Sequence, residues 1–292
     1  MFKLFNQFIG NLRLAQKFAL IATPIALSLA VLFYMFIQQQ RALIATTEQE
    51  LQGVVQLPAL FSLLDSVQKH RGTSQVAKGG STASAEQLTT LGRQIDQSIE
   101  TLKKSTPGEW AATHAQLQSI QSEWNDIQNS NAGWTSAQSF AAHSKLITRL
   151  IELIRFSADD STMTFDPEVA TYYLISALNF ELPALIEQVA VLRGKLASMA
   201  TQQTENTKVL GESHTRIQLA LQSASNLESS YAKVAAAGYP LGPEFQTFFA
   251  QLRQDMGALD SLVNSMETDL SRHSGDAVFQ QGTGYMNNLF AL

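Results

Sequence analysis

Cysteine is absent from the 292 residues, which removes disulfides, thiol catalysis and cysteine-based zinc sites together. Proline is scarce, at seven residues, and charged residues make up only 15% of the chain. Lysine and arginine number 20 against 25 acidic residues, a formal net charge of −5, so there is no basic surface of the kind nucleic acid requires. The common catalytic signatures are missing: no G-x-x-x-x-G-K-[ST], no G-x-G-x-x-G, no H-E-x-x-H and no G-x-S-x-G. The five histidines are scattered, with no two on one helix face. Asp159, Asp160 and Asp166 cluster at a helix junction but lack EF-hand spacing and its glycine. No active site, metal or cofactor is expected, and no nucleic-acid partner. No run of β-branched residues alternates over strand length.

What remains is rich in aliphatics, Ala, Gln, Ser and Thr, a balance that suits long helices. Phe18–Ile37 carries no charge and is about 20 residues long, enough to cross a bilayer. Its apolar core is longer than that of a cleavable signal peptide, and no A-x-A site follows, so an uncleaved anchor is expected. Lys3, Arg13 and Lys17 precede it, and no acidic residue appears before Glu48. The positive-inside rule then gives a cytoplasmic tail over 1–17, a span over 18–38 and a periplasmic region over 39–292 of a bacterial inner-membrane protein. A second span and an output domain are expected beyond Leu292.

Helical periodicity continues almost unbroken from Gln38. The first helix is expected to reach about Ala77, with a kink at Pro58. Others are expected to open at Ser84-x-x-Gln87 as a capping box, at Thr106-Pro107-Gly108-Glu109, near Ser136, at Asp166-Pro167-Glu168, near Thr204, at Gly242-Pro243-Glu244 and near Asp276. The fold class is all-α: a membrane-anchoring helix followed by an extended antiparallel bundle, read as two stacked four-helix modules. The first helix would rise about 60 Å and pass through both.

Within Leu57–Ser74 one apolar stripe, Leu57, Leu60, Phe61, Leu64 and Val67, also includes Arg71, seven residues after Leu64. An always-charged guanidinium aimed at a core needs an anionic partner. Gly72 beside it costs about 1 kcal/mol in a helix, so a close approach is expected there. Leu-Pro-Ala-Leu followed by Arg-Gly recurs at Leu182–Leu185 and Arg193-Gly194, and Arg193 again falls on an inward stripe. The partner of each arginine is either a carboxylate (Asp65, Asp159 or Glu187) or a small planar oxyanion held by bidentate hydrogen bonds. Gln68, His70 and Ser74 flank Arg71 and complete the candidate ligand site. His143, on an apolar stripe, reads as a hydrogen-bonded core histidine.

Leu63–Gln75, LLDSVQKHRGTSQ, resembles the Q-x-E/H-R-G-x-S signature found just outside the first membrane span of bacterial nitrate/nitrite-sensing-type domains. Trp124 to Ile147 and Ser157–Leu178, SADDSTMTFDPEVATYYLISAL, resemble a second pattern, with its D-P-x-x-x-x-Y-Y-L run followed by L-P-x-L and R-G. That pattern belongs to periplasmic regions of bacterial methyl-accepting chemotaxis proteins, and also precedes some diguanylate cyclases and histidine kinases. The resemblance implies a dimeric, all-helical sensor that transmits ligand binding, nitrate or nitrite among the candidates, by helix shifts. It implies Arg71 as an anion ligand. Arg193 follows from the internal echo alone, and His70 stands where the nitrate-sensing pattern usually has Glu. A periplasmic binding protein is a further partner to consider. The alternative of another class is a bundle that binds no small molecule and instead spaces a dimer or docks a periplasmic partner.

Overall fold

The computed structural model describes residues 10, 12–78 and 83–291, with the backbone alone for 83–85. Contacts divide the chain into two units, Met1–Gln49 and Glu50–Leu292. Helix α1 (Leu14–Lys78) runs through Pro58 without a break and contributes to both. In the first unit Phe18, Ile25 and Phe33 are exposed, and the most apolar window of α1 has a mean hydropathy of 2.3 with nothing buried. The helix is long and apolar enough to cross a membrane. Lys3 lies outside the described residues.

The second unit holds the rest of α1 and seven more helices, with no strand among the described residues. They are α2 (Ala83–Ser105), α3 (Ala111–Ser130), α4 (Ser136–Asp160), α5 (Val169–Gln202), α6 (Thr207–Ala236), α7 (Pro243–Thr268) and α8 (Gly275–Leu289). One contiguous core draws on all eight, from Leu57 on α1 to Leu289 on α8. Helix α5 is apolar as well, with a mean hydropathy of 1.4, but 56% of that window is buried, which marks a core helix. It passes Pro183 through a π-turn at Ala177–Glu181. Proline has no N–H and crowds the carbonyl four residues back, and a wider turn absorbs both defects without ending the helix.

Two start signals differ from expectation. Helix α3 begins at Ala111, not at Pro107, and its N-cap Trp110 offers no side-chain bond. The missing cap comes from another helix: Asp160 Oδ2 on α4 accepts from Thr113 N and Thr113 Oγ1, both at 2.8 Å. Helix α5 begins at Val169, and Asp166 Oδ1 instead accepts from Glu168 N in the preceding turn. The side chain of Ser84 in the proposed capping box lies outside the described residues. Where Thr135 and Gln138 form a reciprocal capping box, α4 opens as its periodicity predicts.

The expected stacking of two modules takes a different form. Along one stretch of α1, Gln56 bonds Ser105 on α2, His70 meets His143 on α4, and Lys78 bonds the Asn131 and Trp134 carbonyls after α3. Over the same stretch Phe61 meets Phe290, Gln68 meets Glu187 on α5, and Gly72 borders Phe279 on α8. The α1–α4 and α5–α8 groups therefore lie side by side and share one core. A stacked pair would have engaged separate lengths of α1.

A Cβ on Gly53 would overlap the side chains of Ser161 and Met163, so α1 passes that turn at glycine distance. Gly53→Val is expected to lower the unfolding free energy by about 2 kcal/mol in urea titrations. Gly211→Ala on α6, where nothing lies within 4 Å, is expected to leave it unchanged or raise it by up to about 1 kcal/mol.

Candidate functional site

Arg71 is 2% exposed and meets Glu187 on α5 through both ends of its fork: Nη1 donates to Oε1 at 2.7 Å and Nη2 to Oε2 at 3.1 Å. Nη1 also donates to Ser144 Oγ at 3.0 Å, and the guanidinium lies 5.0 Å from the centre of the Phe140 ring. Glu187 receives a further bond from Gln68 Nε2 at 2.9 Å. Of the carboxylates considered for Arg71, the fold supplies Glu187. The pairing satisfies geometry and charge together, since a guanidinium fork matches a carboxylate edge.

Arg193 joins the same cluster from α5 with poorer company. It is 3% exposed, and its Nη2 reaches the Gln68 carbonyl at 3.5 Å and its Nη1 the Thr283 hydroxyl at 3.3 Å. Its plane lies 4.8 Å from the Phe279 ring centre, and its Nε finds no partner. Burial, then the nearby Arg71 cation, pull its pKa down to about 10, against the pull of Asp65 and Glu187. Arg193 thus stays charged at neutral pH. Two guanidinium groups share one close carboxylate, and the cluster keeps a net positive charge.

The close approach expected at Gly72 is to a ring. A Cβ there would sit 3.1 Å from Phe279, the ring beneath Arg193. Gly194 in turn faces Phe140, the ring beneath Arg71, at 3.6 Å. Each Arg-Gly pair therefore adjoins the platform of the other. Phe140 and Phe279 were not legible as site residues, because an aromatic on a helix face reads as core.

His70 and Ser74 face different tasks from the arginines. His143 Nδ1 lies 2.7 Å from the Ser139 carbonyl, which only accepts, so Nδ1 carries the proton and donates. His143 Nε2 is then an acceptor, and His70 Nδ1, at 2.8 Å, donates to it. Burial and the adjacent ring hold His70 down to about 3. Burial, with Arg71 and Lys78 nearby, holds His143 down to about 4 despite its Ser139 bond. His70 also stands edge-on to Trp124, whose Nε1 donates to Asp96 Oδ1 at 2.7 Å. Ser74 Oγ accepts from Asn131 Nδ2 at 2.7 Å. The structure therefore gathers Gln68, Arg71 and Arg193 around Glu187, sets His70 on the α4 side, and gives Ser74 to the end of α3.

Two open clefts lie elsewhere. One of about 460 Å³ runs between α1 and α2 and includes Ser62, Asp65, Ser66 and Lys69. Another of about 560 Å³ lies between α6 and α7 over Tyr231, Phe245 and Phe249. The three aspartates of the α4–α5 junction are each hydrogen-bonded within the protein: Asp159 to Thr164, Asp160 to Thr113 on α3 and Asp166 to the Glu168 amide. No family model, no curated protein and no solved structure matches the chain.

Removing the acid of a buried pair strands the other charge. Glu187→Gln is expected to cost about 3 kcal/mol in chemical denaturation, whereas the double variant with Arg71→Met is expected to recover most of that loss. Both histidines are depressed in the fold and ordinary when unfolded, so the unfolded chain binds more protons below about pH 6.5. Their stabilising contribution is complete above that value and is lost as pH falls toward about 4 for His143 and about 3 for His70. Each proton steepens the decline by roughly 1.4 kcal/mol per pH unit, and His143→Gln is expected to flatten it in pH-dependent melting.

Proposed function

We propose that this chain is the extracytoplasmic input region of a bacterial transmembrane receptor, of the kind that serves chemotaxis, anchored in the inner membrane by α1. Its ligand is a small oxyanion, nitrate or nitrite among the candidates, and it works as a homodimer. The observation that carries this reading is the continuity of α1. One unbroken helix bears both a segment apolar enough to cross a bilayer and the Gln68–Arg71 stretch of the buried charge cluster. The Q-x-H-R-G and D-P-x-x-x-x-Y-Y-L resemblances support the same assignment.

The cluster supports an anion as the stimulus because its positive charge exceeds its negative charge. An oxyanion between α1 and α5 relieves the repulsion of Arg71 and Arg193 and competes with Glu187 for donors. Either effect changes the contacts that hold α1, and a helix passes a small slide or rotation along its length. The bidentate hold of Glu187 on Arg71 favours a second reading, a bundle that spaces a dimer or docks a periplasmic partner.

Thermal melting of the full chain in detergent micelles with nitrate, nitrite, formate and acetate separates the two. The input region predicts a melting temperature that climbs with the concentration of at least one anion, equivalent to about 2.7 kcal/mol at a hundredfold excess over Kd. Arg71→Ala is expected to remove the effect. A melting temperature indifferent to all four anions favours the spacer.

A further inference from the structure

The α6–α7 cleft shares no residue with the charge cluster. Its floor is aromatic. Tyr231 on α6 meets Phe245 and Phe249 on α7, with ring centres 5.1 and 5.3 Å apart, and Phe248 stands edge-on to Phe249 at 5.3 Å. Rings at such distances and tilts leave faces and edges that a further ring can join. Next to Tyr231, α6 lines the cleft with Ala232 and Ala235, where larger side chains would take up the space. Pro240 lines it from the connecting turn. The fixed φ of Pro240, and of Pro243 at the start of α7, limits how that turn can rearrange.

One polar group in this apolar lining is unanswered. Tyr231 is 3% exposed, yet its hydroxyl takes part in no hydrogen bond among the described residues. Burial alone pushes its pKa up to about 12. The hydroxyl therefore keeps its proton at neutral pH and can both donate and accept. Its oxygen is not sealed inside the protein, so a molecule in the cleft can reach it. A buried hydroxyl left without a partner costs stability, and a ligand atom that pairs with it removes that cost. The charges at the rim cancel, because Arg253 on α7 pairs with Glu228 on α6 at the surface. The cleft thus offers one hydrogen bond, three rings and no net charge. At about 560 Å³ it has the size of a small-molecule site.

We propose that the α6–α7 cleft binds a neutral aromatic molecule of one or two rings with a single hydroxyl or N–H group, of the phenol or indole class. Its ring packs against Phe245 and Phe249, and its polar group pairs with the Tyr231 hydroxyl. Flatness follows from the ring-lined floor, neutrality from the cancelled rim charges, and the single polar group from the one unpartnered hydroxyl. The site uses none of the arginine cluster, so the assignment stands whether or not that cluster takes an anion.

Calorimetry of the full chain in lipid nanodiscs, with empty nanodiscs as the blank, tests it using p-cresol, indole, toluene, 4-hydroxybenzoate and tyramine. Either p-cresol or indole is expected to bind at one molecule per chain. Toluene, which has the ring without the polar group, is expected to bind roughly threefold to tenfold more weakly. The two charged probes are expected to bind more weakly than p-cresol by roughly fivefold or more. Tyr231→Phe keeps the ring and is expected to bring p-cresol down to the affinity of toluene. Ala235→Phe, at an exposed position, fills the cleft and is expected to weaken every probe by roughly tenfold or more, with the melting temperature near the parent's. A preference for p-cresol over toluene that survives Tyr231→Phe overturns the assignment, as does tightest binding by a charged probe. Failure of all five probes to bind also overturns it. If Ala235→Phe then abolishes a concentration-dependent association seen in sedimentation, the cleft is instead an interface between copies of the chain.

Discussion

The bidentate bond between Arg71 and Glu187 is the constraint around which the second unit is arranged. Burying the Arg71 guanidinium to 2% exposure carries a desolvation penalty of several kcal/mol, which Glu187 must be in place to offset. That requirement brings α1 and α5 together at a fixed register. With α4 and α8 supplying the rings beneath the two arginines, four of the eight helices are positioned by two cations. The bond does little for net stability, since Coulomb attraction and desolvation largely cancel. It acts on specificity: a shift of α5 by one residue would leave a buried charge unmatched.

On its other side α1 is held by neutral groups. His70, His143 and the Ser139 carbonyl form a chain of hydrogen bonds whose proton positions follow from the carbonyl at its end. Trp124 and Asp96 extend the contact to α3 and α2. Ionic matching on one face and tautomer matching on the other restrict α1 in different ways. Salt screens a buried ion pair only weakly, whereas acid alters the imidazoles directly.

Much of this was legible in the sequence, and the part that was not has a common cause. Seven-residue spacing placed Arg71 on the inward stripe, and Gly242-Pro243-Glu244 opened α7 where it begins. Periodicity reports which face of a helix is buried and says nothing about which helix lies opposite. Side-by-side groups therefore read as stacked ones, and Glu187 could be named only among three acids. Helix α3 shows the same limit at its start. Its cap is Asp160, a residue forty-seven positions beyond Thr113, so the local signal at Thr106-Pro107 pointed too early. Phe279 was hidden because a ring under a guanidinium and a ring in a core share one sequence pattern.

The π-turn at Ala177–Glu181 carries an implication for how this chain tolerates insertion and deletion. Such a turn is one residue longer than the α-helical turn it replaces, and one residue is about 100° of helix rotation. Tyr172 and Tyr173 at the start of α5 therefore face a direction they would not have in an uninterrupted helix ending at Glu187 and Arg193. Losing a single residue there would leave α5 helical and its composition nearly unchanged. It would also turn the aromatic end against the charged end by more than a quarter of a revolution. The bulge acts as a phase spacer between the aromatic and the charged ends of one rod.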